Sequence, residues 1–307
     1  MLFRSMLPFP HIESPYCYRC PWDLTYPSCG LTCADDLERL INREGPESIA
    51  AFVAEPIIGA SGGAIVPPPG YYERIRAICD AHDMLFIDDE VITGFGRTGA
   101  NFAIDHYGVV PDMISCGKGM SSGYVPLGAV IIHEKVLDVL EGSSESTLFT
   151  GYTYSGHPVT CAAGLSVLRY LRQHELVDRA RSEGEWFLRQ LTRLTKHPSV
   201  GDVRGKGLFA GIEFVADRKT KEPFPPETGF AKRVVDGAWE MGVILRSETG
   251  TSDGVNGEHI LLSPPLTIGR DELTLICQVL DSAISDAERQ VGLAPTDAPV
   301  HARSSAN

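Results

Sequence analysis

Apolar and polar positions along the chain change rhythm near its middle. Leu37, Leu40 and Ile41 share one face of a helical stretch over residues 35–43, closed by Gly45-Pro46. Residues 49–55 form a short apolar run ending in Glu55, the pattern of a buried strand. A Gly/Pro-rich loop over 59–70 leads into a second helical stretch, 71–82, with Ile75, Ile78 and Cys79 spaced for one face. Residues 84–87 read as another buried strand, running into Asp88, Asp89 and Glu90, and two more short strands follow at 112–116 and 128–132. Strands alternating with helices predict an α/β domain with a largely parallel sheet. In such sheets ligands gather beyond the carboxyl ends of the strands. Glu55, Asp89 and Lys118 all stand at those ends.

From Pro158, a residue suited to a helix's first turn, the pattern differs. Two long helical stretches, 159–174 and 176–195, precede a strand pair or bent strand over 203–215. A Pro-rich loop (219–229), a helix (230–241), a strand (242–246), a polar Gly-rich loop (249–258), a strand (259–262) and a helix (271–288) complete the order. Residues from about 293 onward are expected to form a flexible tail. The change predicts two domains, 1–157 and 158–307, the second smaller and again mixed α/β.

Composition narrows the function. The 307 residues give room for two ordinary domains. Hydrophobic content of 43 %, spread along the chain, excludes intrinsic disorder. Forty acidic against 27 basic residues, with no basic block, argue against a nucleic-acid partner. No apolar run approaches the roughly 18 residues of a membrane helix. Arg4, Pro8 and Pro10 interrupt the start, so no signal-peptide core is read there. Eight scattered cysteines fit a reducing, cytoplasmic setting.

The densest chemistry lies between residues 85 and 99. Gly94, Gly96 and Gly99 make a formal G-x-G-x-x-G, but the preceding strand ends in carboxylates that would repel a pyrophosphate. A period of two puts Leu85, Ile87, Asp89 and Val91 on one face and Phe86, Asp88 and Glu90 on the other. A carboxylate beside a β-branched residue suits a flat ring with a protonated nitrogen; strand-end carboxylates capping a turn are the plainer alternative. Lys118, between two glycines just past a strand, is placed for a Schiff base with a carbonyl cofactor. A surface lysine in a turn is its alternative, and Lys206 sits in the same Gly-Lys-Gly pattern. Hydroxyls and glycines from Gly151 to Pro158 lead into a helix N-terminus, which suits a phosphate or an ordinary Ser/Thr cap. Cys17-x2-Cys20 and Cys29-x3-Cys33 have the spacing of a four-thiolate zinc site, but small buried cysteines are commoner, and no metal is expected.

Four motifs in order carry a resemblance. They are Ala54-Glu-Pro-Ile-Ile-Gly59, the run from Asp89 to Gly99, the segment from Lys118 through Pro-Leu-Gly-Ala129, and Gly151 to Pro158. Val203-Arg-Gly-Lys-Gly-Leu208 and Ser263-Pro-Pro-Leu266 add to them. Over most of residues 15–290 the chain resembles the class III aminotransferases, the pyridoxal-phosphate (PLP) enzymes that include ornithine, 4-aminobutyrate and ω-amino acid transaminases. The resemblance implies the fold type I of PLP-dependent transferases: a three-layer α/β/α large domain and a smaller C-terminal α/β domain. It implies an aminotransferase moving an amino group from an amino acid or amine to a 2-oxo acid through a Lys118 Schiff base.

By the same resemblance, Asp89 pairs with the pyridine nitrogen and Val91 packs on the ring. Thr153 binds the phosphate of a partner subunit, which implies a homodimer with shared active sites. Glu55 matches a glutamate that pairs with a switching arginine in some members, but Leu261 stands at that arginine's place. Arg246 resembles the mobile arginine of other members, with a surface arginine as its alternative, and Thr150 replaces a usual histidine. The family's upstream phosphate loop and aromatic-His-Gly motif are not found, so the large domain is expected to be incomplete at its start. Two rivals follow: an inactive, truncated homologue, and a PLP decarboxylase, racemase or aminomutase of the same fold.

Overall fold

A computed structural model describes residues 9–142 and 151–293. Thr150 and the expected tail beyond 293 lie outside the described residues.

The first sheet contains β1 (Ala51–Ala54), β2 (Leu85–Asp89), β3 (Met113–Cys116) and β4 (Ala129–Ile132), in that spatial order. The first three strands run parallel and β4 is antiparallel to β3. On one face, α1 (Thr32–Glu44) and α2 (Tyr71–Ala81) pack over Phe86. Both helices carry apolar stripes at helical spacing, Leu37, Leu40 and Ile41 on α1 and Ile75, Ile78 and Cys79 on α2. That buried core specifies which face of β2 points inward, because a one-residue slip would turn Phe86 out. The register aligns Val53 with Ile87 and Met113 on the other face, where Val53 is 60 % exposed. Among the described residues a single helical layer therefore covers this sheet. Helix α3 (Glu134–Glu141), absent from the sequence expectation, starts where the His133 imidazole accepts the Lys135 backbone N–H at 3.1 Å. Val136, Leu137 and Leu140 are spaced for one face of it, but none of its residues is fully buried.

Helix α4 (Pro158–Gln173) leads to α5 (Leu176–Thr192) and a second, antiparallel sheet. Its strands are β5 (Val200–Lys206), β6 (Phe209–Phe214), β7 (Arg246–Thr249) and β8 (Glu258–Leu262), in the order β5-β6-β8-β7. The stretch 203–215 is thus a strand pair, turned at Gly207 (φ +60°). α5, α6 (Phe230–Glu240) and α7 (Arg270–Gln290) bury Phe187, Phe230 and Leu280 against Ile212, Phe214 and Ile260. One element moves: the strand expected at 242–246 forms over Arg246–Thr249 instead. Gly242 turns at φ +84°, Val243 is buried as a plug, and pairing of Thr249 with Glu258 recruits the polar stretch. No described helix is long and apolar enough to cross a membrane.

The two sheets meet along a seam of main chain. A Cβ on Gly207 would overlap the main chain of Thr98, and α5 closes on the same turn from within the second half, where a Cβ on Gly184 would overlap the Gly207 carbonyl. A Cβ on Gly211 would overlap the Gly63 carbonyl oxygen. Arg204 closes the seam from β5, donating to the carbonyls of Gly63 at 2.8 Å and Gly62 at 2.6 Å. Its guanidinium also pairs with Asp202 and Glu213 and lies 4.6 Å from the Tyr16 ring centroid. Tyr16 and Arg19 bind the same Glu213, drawing the N-terminal segment onto the second sheet.

Candidate functional site

The parallel register sets the site. Ala54 pairs with Asp88 and Asp89 with Ser115, so Glu55, Asp89 and Lys118 leave the sheet at one edge. Asp89 Oδ1 accepts the Val91 backbone N–H at 3.1 Å and the Ser115 hydroxyl at 3.2 Å. Both bonds use one oxygen and leave Oδ2 open to a further donor. Val91 lies just past β2, in the turn, and is half-buried.

Lys118 follows Gly117 in a left-handed conformation, φ +35°, which L-residues avoid unless their surroundings enforce it. Gly119 permits that turn to close, since a Cβ there would stand 3.2 Å from the Phe95 Cβ. The exposed Lys118 amine has no hydrogen bond or ion pair among the described residues. It opens on a cleft of about 850 Å³ walled by Ile92, Phe95, Tyr124, Tyr170 and Leu266. Arg97 lines the same cleft and donates to the carbonyls of Leu208 (3.1 Å) and Pro264 (2.5 Å). Burial lowers its guanidinium to about 10.

Glu55 lines a separate crevice of about 270 Å³ with Val53 and Tyr72. Burial raises its carboxyl above the ordinary value, the Gly59 N–H pulls it back, Asp89 raises it and Lys118 lowers it. The three strand-end groups therefore feel one another's charge, although they do not line one cavity. Tyr72 donates to the Glu55 carbonyl at 2.6 Å.

Two expected residues stand apart. Thr153 is exposed in the turn before α4, beside Tyr152 and Tyr154, and lines neither space. Arg246 is exposed at the start of β7 and pairs with Glu248. Its ladder partner is Leu261, which packs against the buried cluster of Ile57, Ala64 and Phe209, so Arg246 emerges beside the position where the resemblance expects a switching arginine. Cys17, Cys20, Cys29 and Cys33 are free and line one narrow crevice with Trp22. Among the described residues no group of three or more His, Cys, Asp or Glu is gathered to hold a metal. Sequence reasoning missed Ser115; the parallel pairing that puts it beside Asp89 was its only signal.

A sequence model of the class-III aminotransferases matches residues 5–284. The uncharacterized aminotransferase YodT of Bacillus subtilis is 39 % identical over 284 residues, covering 92 % of this chain and 64 % of YodT. An (S)-enantioselective ω-transaminase from Thermomicrobium roseum superposes with a TM-score of 0.83 at 41 % identity, over 92 % of this chain and 62 % of its own. An amine transaminase from an uncultivated Pseudomonas species, solved in its PLP-bound form, gives 0.83 at 40 % identity, over 90 % and 61 %. The chain thus spans somewhat under two thirds of the length of these relatives. Its fold is the fold type I of PLP-dependent transferases. With that model matching residues 5–284, the chain belongs to the class-III aminotransferases.

Proposed function

We propose that this protein is a PLP-dependent aminotransferase that moves an amino group from an amino acid or amine to a 2-oxo acid. One observation carries it: Asp89, oriented through Oδ1 by Val91 and Ser115, stands at the same sheet edge as the unpaired amine of Lys118. These residues fit PLP. The open Oδ2 of Asp89 suits a pyridinium N–H, Val91 offers an apolar side for a ring, and the Lys118 amine suits an aldehyde carbon. When bound, PLP supplies a carbonyl for amine exchange and a cationic ring that withdraws electrons. Lys118 would hold the cofactor and, once its amine is released, carry the proton from the substrate Cα. Asp89 would keep the ring nitrogen protonated by offering it a fixed negative charge.

The substrate and partner assignments belong to the same proposal. Arg246, exposed and paired with the half-buried Glu248, would meet a substrate carboxylate, and Glu55 would border that position. Thr153 would reach the phosphate held by a second copy. Only Gly164 of α4 is buried, while Val159 and Tyr170 are 64 % and 50 % exposed, which supports a homodimer covering this helix. The chain would divide at Pro158, between two sheets that share no strand. Free thiols at all eight cysteines suit the cytoplasm.

Purified protein mixed with PLP should develop a visible absorption band that borohydride fixes to a Lys118 peptide. It should also convert an amine and a 2-oxo acid to the exchanged pair. A band that survives in Lys118→Ala would overturn the assignment.

A further inference from the structure

Behind the strand-end edge, on the inward face of β2, lie two carboxyl groups that the proposed chemistry does not use. Asp88 and Glu90 are both fully buried. Glu90 is well supplied: it accepts the Thr93 hydroxyl and, at 2.9 Å, the Ile104 backbone N–H. Asp88 is not, because neither Oδ1 nor Oδ2 has a hydrogen-bond partner.

The neighbours explain why no cation answers it. In the ladder Asp88 lies between Ala54 of β1 and Ile114 of β3, both apolar. The charged groups that face it are Glu90, Asp89 and Asp105, all acids. From α2 comes the phenol of Tyr72, and from the turn over Ala103–Tyr107 the phenol of Tyr107. Both phenols donate elsewhere, to the carbonyls of Glu55 and Pro56. An ionised carboxylate only accepts hydrogen bonds, and no donor is offered here. The protonated acid has one O–H to give, and the Glu90 carboxylate is the adjacent acceptor.

We infer that Asp88 is kept as the neutral acid and donates its hydrogen to the Glu90 carboxylate, so that the pair acts as one buried anion behind Asp89. Asp88 is then a positioning residue. It steadies Glu90, which in turn holds Thr93 and the N–H of Ile104, and so ties the turn after Val91 to the helical turn at 103–107. A single shared proton also keeps a second negative charge from building up directly behind Asp89.

The proton balance has a measurable sign. In the unfolded chain Asp88 ionises at an ordinary carboxylate value, near 4. In the fold, burial first and then the charge of Glu90 raise it to about 9. Folding at neutral pH therefore takes up one proton at this site. Its contribution to stability is complete below the unfolded value and is lost as pH rises through the folded one.

The test compares the wild-type protein with Asp88→Asn, which keeps the shape and a donor without the titration. Between pH 5 and 8, the ratio of folding constants, variant over wild type, should rise by up to about tenfold per pH unit. Infrared spectra at pH 7 should show a protonated-carboxyl band in the wild type that Asp88→Asn removes. If Asp88→Asn does not fold, Glu90→Gln decides: removing the neighbouring charge should make the wild-type band disappear at a lower pH. No protonated-carboxyl band at neutral pH, a pH-independent folding ratio, or a band indifferent to Glu90→Gln would overturn the inference. None of these readouts depends on bound cofactor.

Discussion

At Asp89 a neighbouring hydroxyl sets the direction of the carboxylate. Ser115 reaches it from the adjacent strand, and the Val91 N–H fixes the same oxygen from the chain itself. Ser115→Ala should remove one hydrogen bond to a charged group, costing about 1.5 kcal/mol or more. The expected outcome is roughly tenfold weaker PLP binding, with the melting temperature of the cofactor-free protein changed little. A spectroscopic PLP titration checks it, and unchanged affinity would remove Ser115 from the site. The strand-end places of Lys118 and Asp89 were legible in the sequence because each follows an apolar run. Ser115 was not, since its role depends on which strands are neighbours. The burial of Asp88 opposite Asp89 followed from strand alternation, whereas its lack of any cationic partner became visible only in three dimensions.

At the scale of elements, a polar lock joins the start of β5 to α7. The His197 imidazole lies between Asp281, 2.7 Å from Nε2, and Glu288, 3.1 Å from Nδ1. Glu288 also accepts the Ser199 N–H at 3.0 Å and its hydroxyl at 2.7 Å. Burial alone would lower the His197 value, but hydrogen bonds to the two carboxylates reverse this and raise it. Asp281 and Glu288 move the other way: burial opposes their ionised forms, and the bonds from Lys196, His197 and Ser199 lower both.

The signs define a window. The His197 contribution is complete below about 6.5, its unfolded value, and is lost as pH rises through the raised folded value. The carboxylate contributions are complete above about 4 and lost as pH falls. The melting temperature should therefore fall more steeply on the alkaline side of 6.5, and His197→Gln should make that limb shallower, leaving the part carried by Asp88. A melting series from pH 5 to 9 decides; an unchanged alkaline limb in the variant would show that His197 does not drive it. Every described α-helix except α3 was legible from its apolar spacing. Strand β7 was not, because pairing with β8 overrode the local apolar run at 243–245.

Across the whole molecule, Arg204 joins parts that are far apart in sequence. It holds the Gly62 and Gly63 carbonyls, Asp202 and Glu213, and lies against Tyr16. Arg204→Ala would leave Glu213 buried with fewer partners, at a cost of about 3–5 kcal/mol. Urea unfolding measures the loss, and limited proteolysis should show earlier cleavage within residues 9–22. Destabilisation below about 1 kcal/mol would mean that the seam does not need this residue. Gly184→Ala tests the packing of α5 behind the seam, because its Cβ would overlap Gly207 in the turn that meets Thr98. Overpacking typically costs about 1–3 kcal/mol. A neutral result would show that α5 can draw back from the turn. The two separate sheets were legible from the change of rhythm at Pro158. The attachment of Tyr16 and Arg19 to the second sheet was not, since nothing local marks a contact with Glu213 nearly 200 positions away.

The main-chain seam also bears on redesign. Where Gly207 meets the main chain of Thr98, and Gly211 meets Gly63, there is no side chain to shorten. The spacing between the Lys118 edge and the Arg246 strand is thus calibrated by peptide atoms, and mutation can push the halves apart more easily than bring them closer. A roomier cleft for larger amines would have to come from trimming its rim at Tyr124, Tyr170 or Leu266, with the distance across it left as inherited.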